Sequence, residues 1–309
     1  MGAVRPAGGS RRAEQCVPRS GLRLDPRGHD RPSGGGPART RRHAAPQSGI
    51  GLRHPPVTDA AWLVPTLAAV AVFVGAALQQ LTGVGFALVV APFLVLLLGP
   101  VEGVLLVNAG GALTSAVILA GTFREVDWRS FLSLAPPALV GVVVGALIVG
   151  VIPAAGLDIG VGVLVLLAIA VLAVTPDLAF SDRRRYAVIA GFASGAMNAT
   201  AGLAGPAITV YGLGRGWRPG VFRSTVQAFF LALALAAIAA KLLSGVAVLP
   251  NLTFVMLLGL AASCLVGLAT GVAVSKLVSA RWIRVLLLVL SGLGGLGTLL
   301  RGALELASA

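Results

Sequence analysis

Charged residues are scarce in this sequence: only 11% of its 309 residues are Asp, Glu, Lys or Arg. Hydrophobic residues make up 57%, and the mean hydropathy is +0.92. A soluble domain cannot remove that much apolar surface from water. The composition therefore excludes an ordinary soluble protein and predicts an integral membrane protein whose main partner is the lipid bilayer.

Cysteine and histidine are too few and too scattered for most kinds of site chemistry. Cys16 and Cys264 are far apart in the sequence, which favours neither a disulfide framework nor a thiolate metal site. The histidines (His29, His43 and His54) show no ligand spacing. We therefore predict no bound metal and no cofactor.

Enzyme motifs are missing as well. The sequence has no GxxxxGK[ST] phosphate loop and no HExxH, and no GxSxG stands out in its apolar segments. We expect a protein that is not an enzyme. A membrane-embedded enzyme and a non-transporting membrane assembly subunit remain the alternatives to a transporter.

Aromatic residues are absent from residues 1–56, which are rich in Arg, Pro and Gly. Such a segment buries too little apolar surface to offset the entropy of ordering, so we predict a disordered basic tail. A start codon assigned too far upstream would explain its composition. The net charge of +13 would suit nucleic acid, but the tail has no aromatic residue for base stacking, so no nucleic-acid partner is expected.

Long apolar blocks fill the rest of the chain, and about 20 apolar residues suffice to cross a bilayer. Six blocks are long enough for full spans. Four others form two adjoining pairs, within residues 62–99 and 187–214, that Gly and polar residues interrupt. The blocks cover residues 62–81, 84–99, 101–121, 131–151, 157–175, 187–200, 202–214, 221–243, 252–275 and 282–300.

The charges of the loops orient these segments. SDRRRY (181–186) and SKLVSARWIR (275–284) are basic and are expected inside, whereas VIPAAGLD (151–158) and SGVAVLPN (244–251) suit the outside. Each interrupted pair then starts and ends on the same side, as a hairpin does. Whether the two hairpins span the bilayer or are re-entrant stays open.

This orientation predicts an all-α polytopic membrane protein with two inverted repeats, each a broken-helix hairpin followed by three transmembrane helices. The repeats cover residues 57–175 and 187–309, joined by a basic cytoplasmic linker at 176–186. FVGAALQQLTGVGFALVVAPFLVLLLG (73–99) aligns loosely with VIAGFASGAMNATAGLAGPAITVYGLG (188–214). In that alignment Gly83, Gly85 and Pro92 match Gly202, Gly205 and Pro206.

The interruptions predict a binding site. Non-helical backbone at membrane depth occurs only where it is buried in protein or lines a cavity. The helix that restarts after each break points N–H groups with partial positive charge at that cavity, where they can bind an anion. Our candidate substrate-binding residues are Gln79, Thr82, Gly83, Gly85, Asn108, Asn198, Thr200, Gly202 and Gly205. The alternative for each is helix packing, since small residues allow close approach and Ser or Thr bonds its own backbone.

Few ions lie within the apolar blocks. Glu102 and Lys241 are expected at the membrane interfaces, and no deeply buried carboxylate is evident. The sequence therefore does not indicate whether a proton or sodium would couple to transport.

LTGVGFALVVAPFLVLLLGP (81–100), VEGVLLVNAGGALTSAV (101–117) and GFASGAMNATAGLAGPAITVY (191–211) resemble the sulfite exporter TauE/SafE family of membrane transporters. The resemblance covers about residues 65–300. It implies a carrier in the plasma membrane, bacterial in origin, that exports small anions such as sulfite, sulfonates or other organosulfur compounds. MNATAGLAGP has Ala where the family tends to be richer in Gly.

Overall fold

The computed structural model describes residues 60–173, 183–246 and 254–308, which form ten α-helices. They are α1 Ala60–Thr82, α2 Gly85–Leu98, α3 Pro100–Thr122, α4 Trp128–Val151, α5 Ala154–Ala173, α6 Arg183–Ala201, α7 Gly205–Gly214, α8 Pro219–Leu243, α9 Phe254–Val274 and α10 Ala280–Ala307. A 3₁₀ helix, Phe123–Glu125, follows α3. The predicted tail lies outside the described residues, as does most of the predicted linker.

Among the described helices, seven are long and apolar enough to cross a membrane: α1, α3, α4, α5, α8, α9 and α10. All six predicted spans are confirmed, and α1 is added to them. Helices α2 and α7 are short, about 21 Å and 15 Å at 1.5 Å per residue. Helix α6 begins at Arg183, four residues before the predicted segment, because arginine is a good helix former.

Glycines allow α4 and α6 to approach backbone to backbone. A Cβ on Gly195 would collide with the Ala138 carbonyl oxygen, and a Cβ on Gly145 would lie 2.7 Å from the Ala196 oxygen. Residues further along α4 contact residues further along α6, so the two helices run parallel. Helices α1 and α9 are paired in the same way, through Gly267 and Gly271.

Two other pairs run antiparallel. A Cβ on Gly162 of α5 would lie 2.7 Å from the Gly295 oxygen of α10, and one on Gly302 would lie 2.6 Å from the Ala155 oxygen. Helices α3 and α8 also run antiparallel, since Thr225 near the start of α8 accepts from the N–H of Asp127, just beyond the end of α3. An inverted repeat requires such pairings, and it stays a prediction.

Candidate functional site

The first break separates α1 from α2. Gly83 has a φ of +82°, which glycine adopts readily, and its N–H donates to the Gln79 carbonyl oxygen at 2.8 Å. Helix α2 starts at Gly85 and folds back along α1, since a Cβ on Gly75 would collide with Val90 and lie 3.2 Å from the Phe86 carbonyl oxygen. The predicted break and hairpin are therefore present here.

The second break separates α6 from α7 and repeats this geometry. Gly202 has a φ of +74°, and its N–H donates to the Asn198 carbonyl oxygen at 2.9 Å. Gly205 is the first residue of α7, as Gly85 is of α2. The proline match is wrong in detail, because Pro92 lies inside α2 whereas Pro206 belongs to the first turn of α7.

A buried amide pair joins the first break to α8. Gln79 Nε2 donates to Gln227 Oε1 at 3.0 Å, and Gln227 Nε2 donates to the Gly83 carbonyl oxygen at 2.9 Å. Gln79 Oε1 accepts from the N–H of Phe86, in the first turn of α2, at 3.0 Å. Gln227 therefore holds the break from outside the hairpin, although it is not one of our candidate residues.

A second amide pair joins the other break to α3. Asn198 Nδ2 donates to Asn108 Oδ1 at 2.8 Å and to the Leu233 carbonyl oxygen at 3.2 Å. Asn108 stands at the same distance from the start of α3 as Gln227 does from the start of α8. That correspondence is the signal in the sequence that would have singled out Gln227.

A cavity of about 30 Å³ lies between the two breaks. Residues of α3 and α8 that line it, including Asn108, Ser115 and Phe230, stand near the middle of those helices. None of the described residues that line the cavity is charged. Five of our candidates line it: Gln79, Asn108, Asn198, Gly202 and Gly205.

The other four candidates lie beside this central cavity rather than on its wall. Thr82 Oγ1 donates to the Leu78 carbonyl oxygen and Thr200 Oγ1 to the Ala196 oxygen, each within its own helix. Thr82 lines a wider cavity, of about 350 Å³, between the end of α1 and the start of α10. Gly83 and Gly85 shape the chain at the first break.

A comparison with protein families shows which family this chain belongs to. The model of the family described as sulfite exporter TauE/SafE matches residues 67–298. The chain belongs to the sulfite exporter TauE/SafE family. Both breaks and the whole central cavity of this family member lie within the matched range. Comparisons with curated proteins and with solved structures gave no match.

Membership confirms the resemblance found in the sequence. TauE/SafE is a family of membrane transporters rather than of enzymes, and seven helices of this member can cross a membrane. It is therefore a multi-pass membrane protein of a transporter family.

Buried charge in this TauE/SafE protein differs from our expectation. Asp158 of α5 is 0% exposed, so a deeply buried carboxylate is present. Its partner is Arg301 of α10, whose Nε lies 3.4 Å from Asp158 Oδ2. In the sequence, Asp158 is the last residue of the predicted outer loop at 151–158. Its burial arises from the packing of α5 against α10, and the composition of the loop does not reveal that packing.

Lys241 is likewise buried rather than snorkelling at an interface. It is 1% exposed, and its Nζ has no hydrogen-bond partner among the described residues. Leu233, Ala237 and Lys241 follow one another at helical spacing on the buried face of α8. Glu102, by contrast, is exposed at the start of α3.

Asp127 caps the start of α4, outside the spans. Its carboxylate accepts from the Ser130 N–H at 3.1 Å and from Ser130 Oγ at 2.7 Å. Burial raises the pKa of Asp127, but the Ser130 hydrogen bonds and the nearby Arg215 charge outweigh it and hold that pKa below the usual value for an aspartate. The cap therefore fixes the connection between α3 and α4 at neutral pH.

Proposed function

We propose that this TauE/SafE protein is a secondary transporter that exports small anions such as sulfite, sulfonates or other organosulfur compounds. The observation that carries the proposal is the meeting of two broken hairpins at one uncharged central cavity. Discontinuous helices at the midplane are the usual substrate sites of secondary transporters. The plasma membrane of a bacterium is its proposed location.

The helix N-termini supply the attraction for an anion. Gly85 and Phe86 begin α2 and Gly205 begins α7, and residues of both first turns line the cavity. The first four N–H groups of an α-helix have no partner within the helix and carry partial positive charge. The N–H of Phe86 donates to Gln79 Oε1, so an anion would be bound by the remaining N–H groups of the two ends, without a buried cation that would retain it.

Neutral side chains complete the proposed site. The amides of Gln79, Asn108 and Asn198 line the cavity, and Ser115 Oγ is buried on its wall with no hydrogen-bond partner among the described residues. A buried hydroxyl without a partner is costly. A bound oxyanion would accept its hydrogen bond, so we propose Ser115 as a further substrate contact.

The size of the cavity supports alternating access. It is about 30 Å³, whereas the wider cavity at the end of α1 is about 350 Å³. The hairpins would move apart to admit an anion such as sulfite from the wider cavity. Val84 lines both this cavity and the wider one beside Arg284, which we propose as the cytoplasmic vestibule. Rocking of two inverted repeats would open the site to each side in turn.

Transport by the full chain in liposomes tests the proposal. The liposomes are loaded with sulfite or sulfoacetate, and efflux is followed with and without imposed proton or sodium gradients. We expect saturable efflux that one gradient accelerates, and none from liposomes without protein. Efflux of neither anion under any gradient would remove these substrates from the proposal.

A further inference from the structure

An ionic cluster whose carboxylate Asp158 is buried joins α5, α10 and α2. Asp158 of α5 is 0% exposed, and neither of its oxygens accepts a hydrogen bond from the described residues. Its contact is Arg301 Nε at 3.4 Å, which also donates to Glu305 Oε1 at 2.9 Å. Ionisable residues inside membrane helices are costly, and they mark substrate and ion pathways.

Arg301 also holds one end of α2. Its terminal nitrogen donates to the carbonyl oxygens of Val95 and Leu96, at 3.2 Å and 3.1 Å. These oxygens belong to the last turn of α2. The Val95 oxygen also accepts from the Gly99 N–H at 2.8 Å, whereas Pro100 has no N–H to donate to the Leu96 oxygen. The opposite end of α2 begins at Gly85 and lines the central cavity. One short helix, about 21 Å long, therefore connects the ionic cluster to the proposed anion site.

We propose that Asp158 binds the proton that couples to anion transport. The proposal rests on the proposed function, whose coupling ion it identifies. A proton from the outer aqueous phase forms an O–H bond on the Asp158 carboxylate, which removes the negative charge facing Arg301. The guanidinium then keeps Glu305 as its hydrogen-bond partner but loses the negative charge of Asp158 that faces it, and its hold on the end of α2 weakens.

The surroundings of Asp158 favour a proton over a sodium ion. Among the residues that the structure describes, Arg301 and Glu305 of α10 are the charged groups that face it. Helices α2 and α7 contain no charged residue, Glu102 of α3 is exposed, and the arginines of α6 lie at that helix's start. A proton and a metal cation would each add one positive charge beside Arg301, but a metal ion also needs several oxygen ligands, whereas a proton needs a single carboxylate oxygen. Arg301 is 36% exposed, which gives water access to the cluster.

The first test needs no substrate. Hydrogen–deuterium exchange of residues 95–99 is measured on the full chain between pH 5 and pH 8, corrected for intrinsic rates. We expect these amides to exchange several-fold faster at the acidic end, and Asp158→Asn to exchange fast at every pH. Glu102→Gln, the same change at an exposed carboxylate, should keep the wild-type response. Protection of the wild type that does not depend on pH would overturn the proposal, whether or not the variant folds.

The second test separates coupling from transport. Wild type in liposomes should accumulate sulfite against its gradient when a proton gradient is imposed, whereas Asp158→Asn should only exchange sulfite across the membrane. Proton-driven accumulation by Asp158→Asn would contradict the proposal while leaving the proposed function intact. If none of the proteins moves sulfite, but the hydrogen–deuterium exchange of the first test still depends on pH and on Asp158, then the substrate assignment fails and the proton site stands.

Discussion

Gly83 and Gly202 are the residues on which the two breaks depend, because both adopt positive φ. A Cβ in that conformation costs about 1–2 kcal/mol. The surroundings differ: a Cβ on Gly202 would lie 2.8 Å from Val107 Cγ1, whereas the one described residue that a Cβ on Gly83 would meet is Phe222, at 3.9 Å. The two breaks should therefore respond unequally to the same substitution.

We predict that Gly202→Ala lowers the thermal stability and the transport rate more than Gly83→Ala does. Gly83→Ala should cost about 1–2 kcal/mol from backbone strain, and Gly202→Ala more, because Val107 must move as well. Gly121→Ala, at a helical position where the Cβ would meet none of the residues described, should leave both quantities unchanged. Equal decreases of Tm and of efflux rate in Gly83→Ala and Gly202→Ala would contradict this account.

Asp127 gives the connection between α3 and α4 a dependence on pH. Its folded-state pKa is depressed, so its stabilisation is present at neutral pH and is lost as the pH falls through that pKa. Asp127→Ala should lower the free energy of unfolding by about 1 kcal/mol, as for other N-caps. This loss of free energy, measured by unfolding the protein in detergent, should vanish under strongly acidic conditions. A loss of the same size there would show that the cap is not responsible.

Single residues also show where prediction from sequence ends. The glycines and the amides Gln79 and Asn198 could be predicted because chain breaks need Gly and cavities need polar groups. Thr82 and Thr200 could not be assigned, since each hydroxyl had the alternative of its own helix backbone. Asp158 was missed because its burial depends on α10, far away in the sequence.

At the scale of elements, the closeness of α4 and α6 depends on glycine. Gly195→Ala should lower the free energy of unfolding by about 1–3 kcal/mol, the usual cost of overpacking, because its Cβ would collide with the Ala138 carbonyl oxygen. Gly259→Ala, where no described residue lies within 4 Å of the Cβ, is the matched control. Unfolding measurements that give both variants the same stability would show that α4 and α6 can separate without cost.

Helix positions could be predicted well because the apolar blocks are long and are interrupted by Gly, Pro or charge. The six full spans and both breaks were found in this way. The paired helices could not be predicted, since hydropathy indicates that a helix spans but not which neighbour it contacts. Helix α1 was not predicted as a full span, because only two residues separate it from α2 and the two were taken as one interrupted pair.

At the scale of the whole molecule, the two hairpins meet at α3 and α8, and the amide pairs join each break to the other half of the chain. Movement of one hairpin must therefore break or carry along a hydrogen bond from the opposite half. Through these hydrogen bonds a single bound anion would affect the position of both halves, as the proposed rocking requires.

Equilibrium binding of radiolabelled sulfite to the purified full chain tests the central claim most directly. The proteins are wild type, Gln79→Met, Asn198→Leu and the exposed control Thr66→Val, each checked by its Tm. We predict saturable binding that is about tenfold weaker in the two amide variants, a difference of about 1.4 kcal/mol, and unchanged in the control. Unchanged affinity in both amide variants would contradict an anion site between the two breaks.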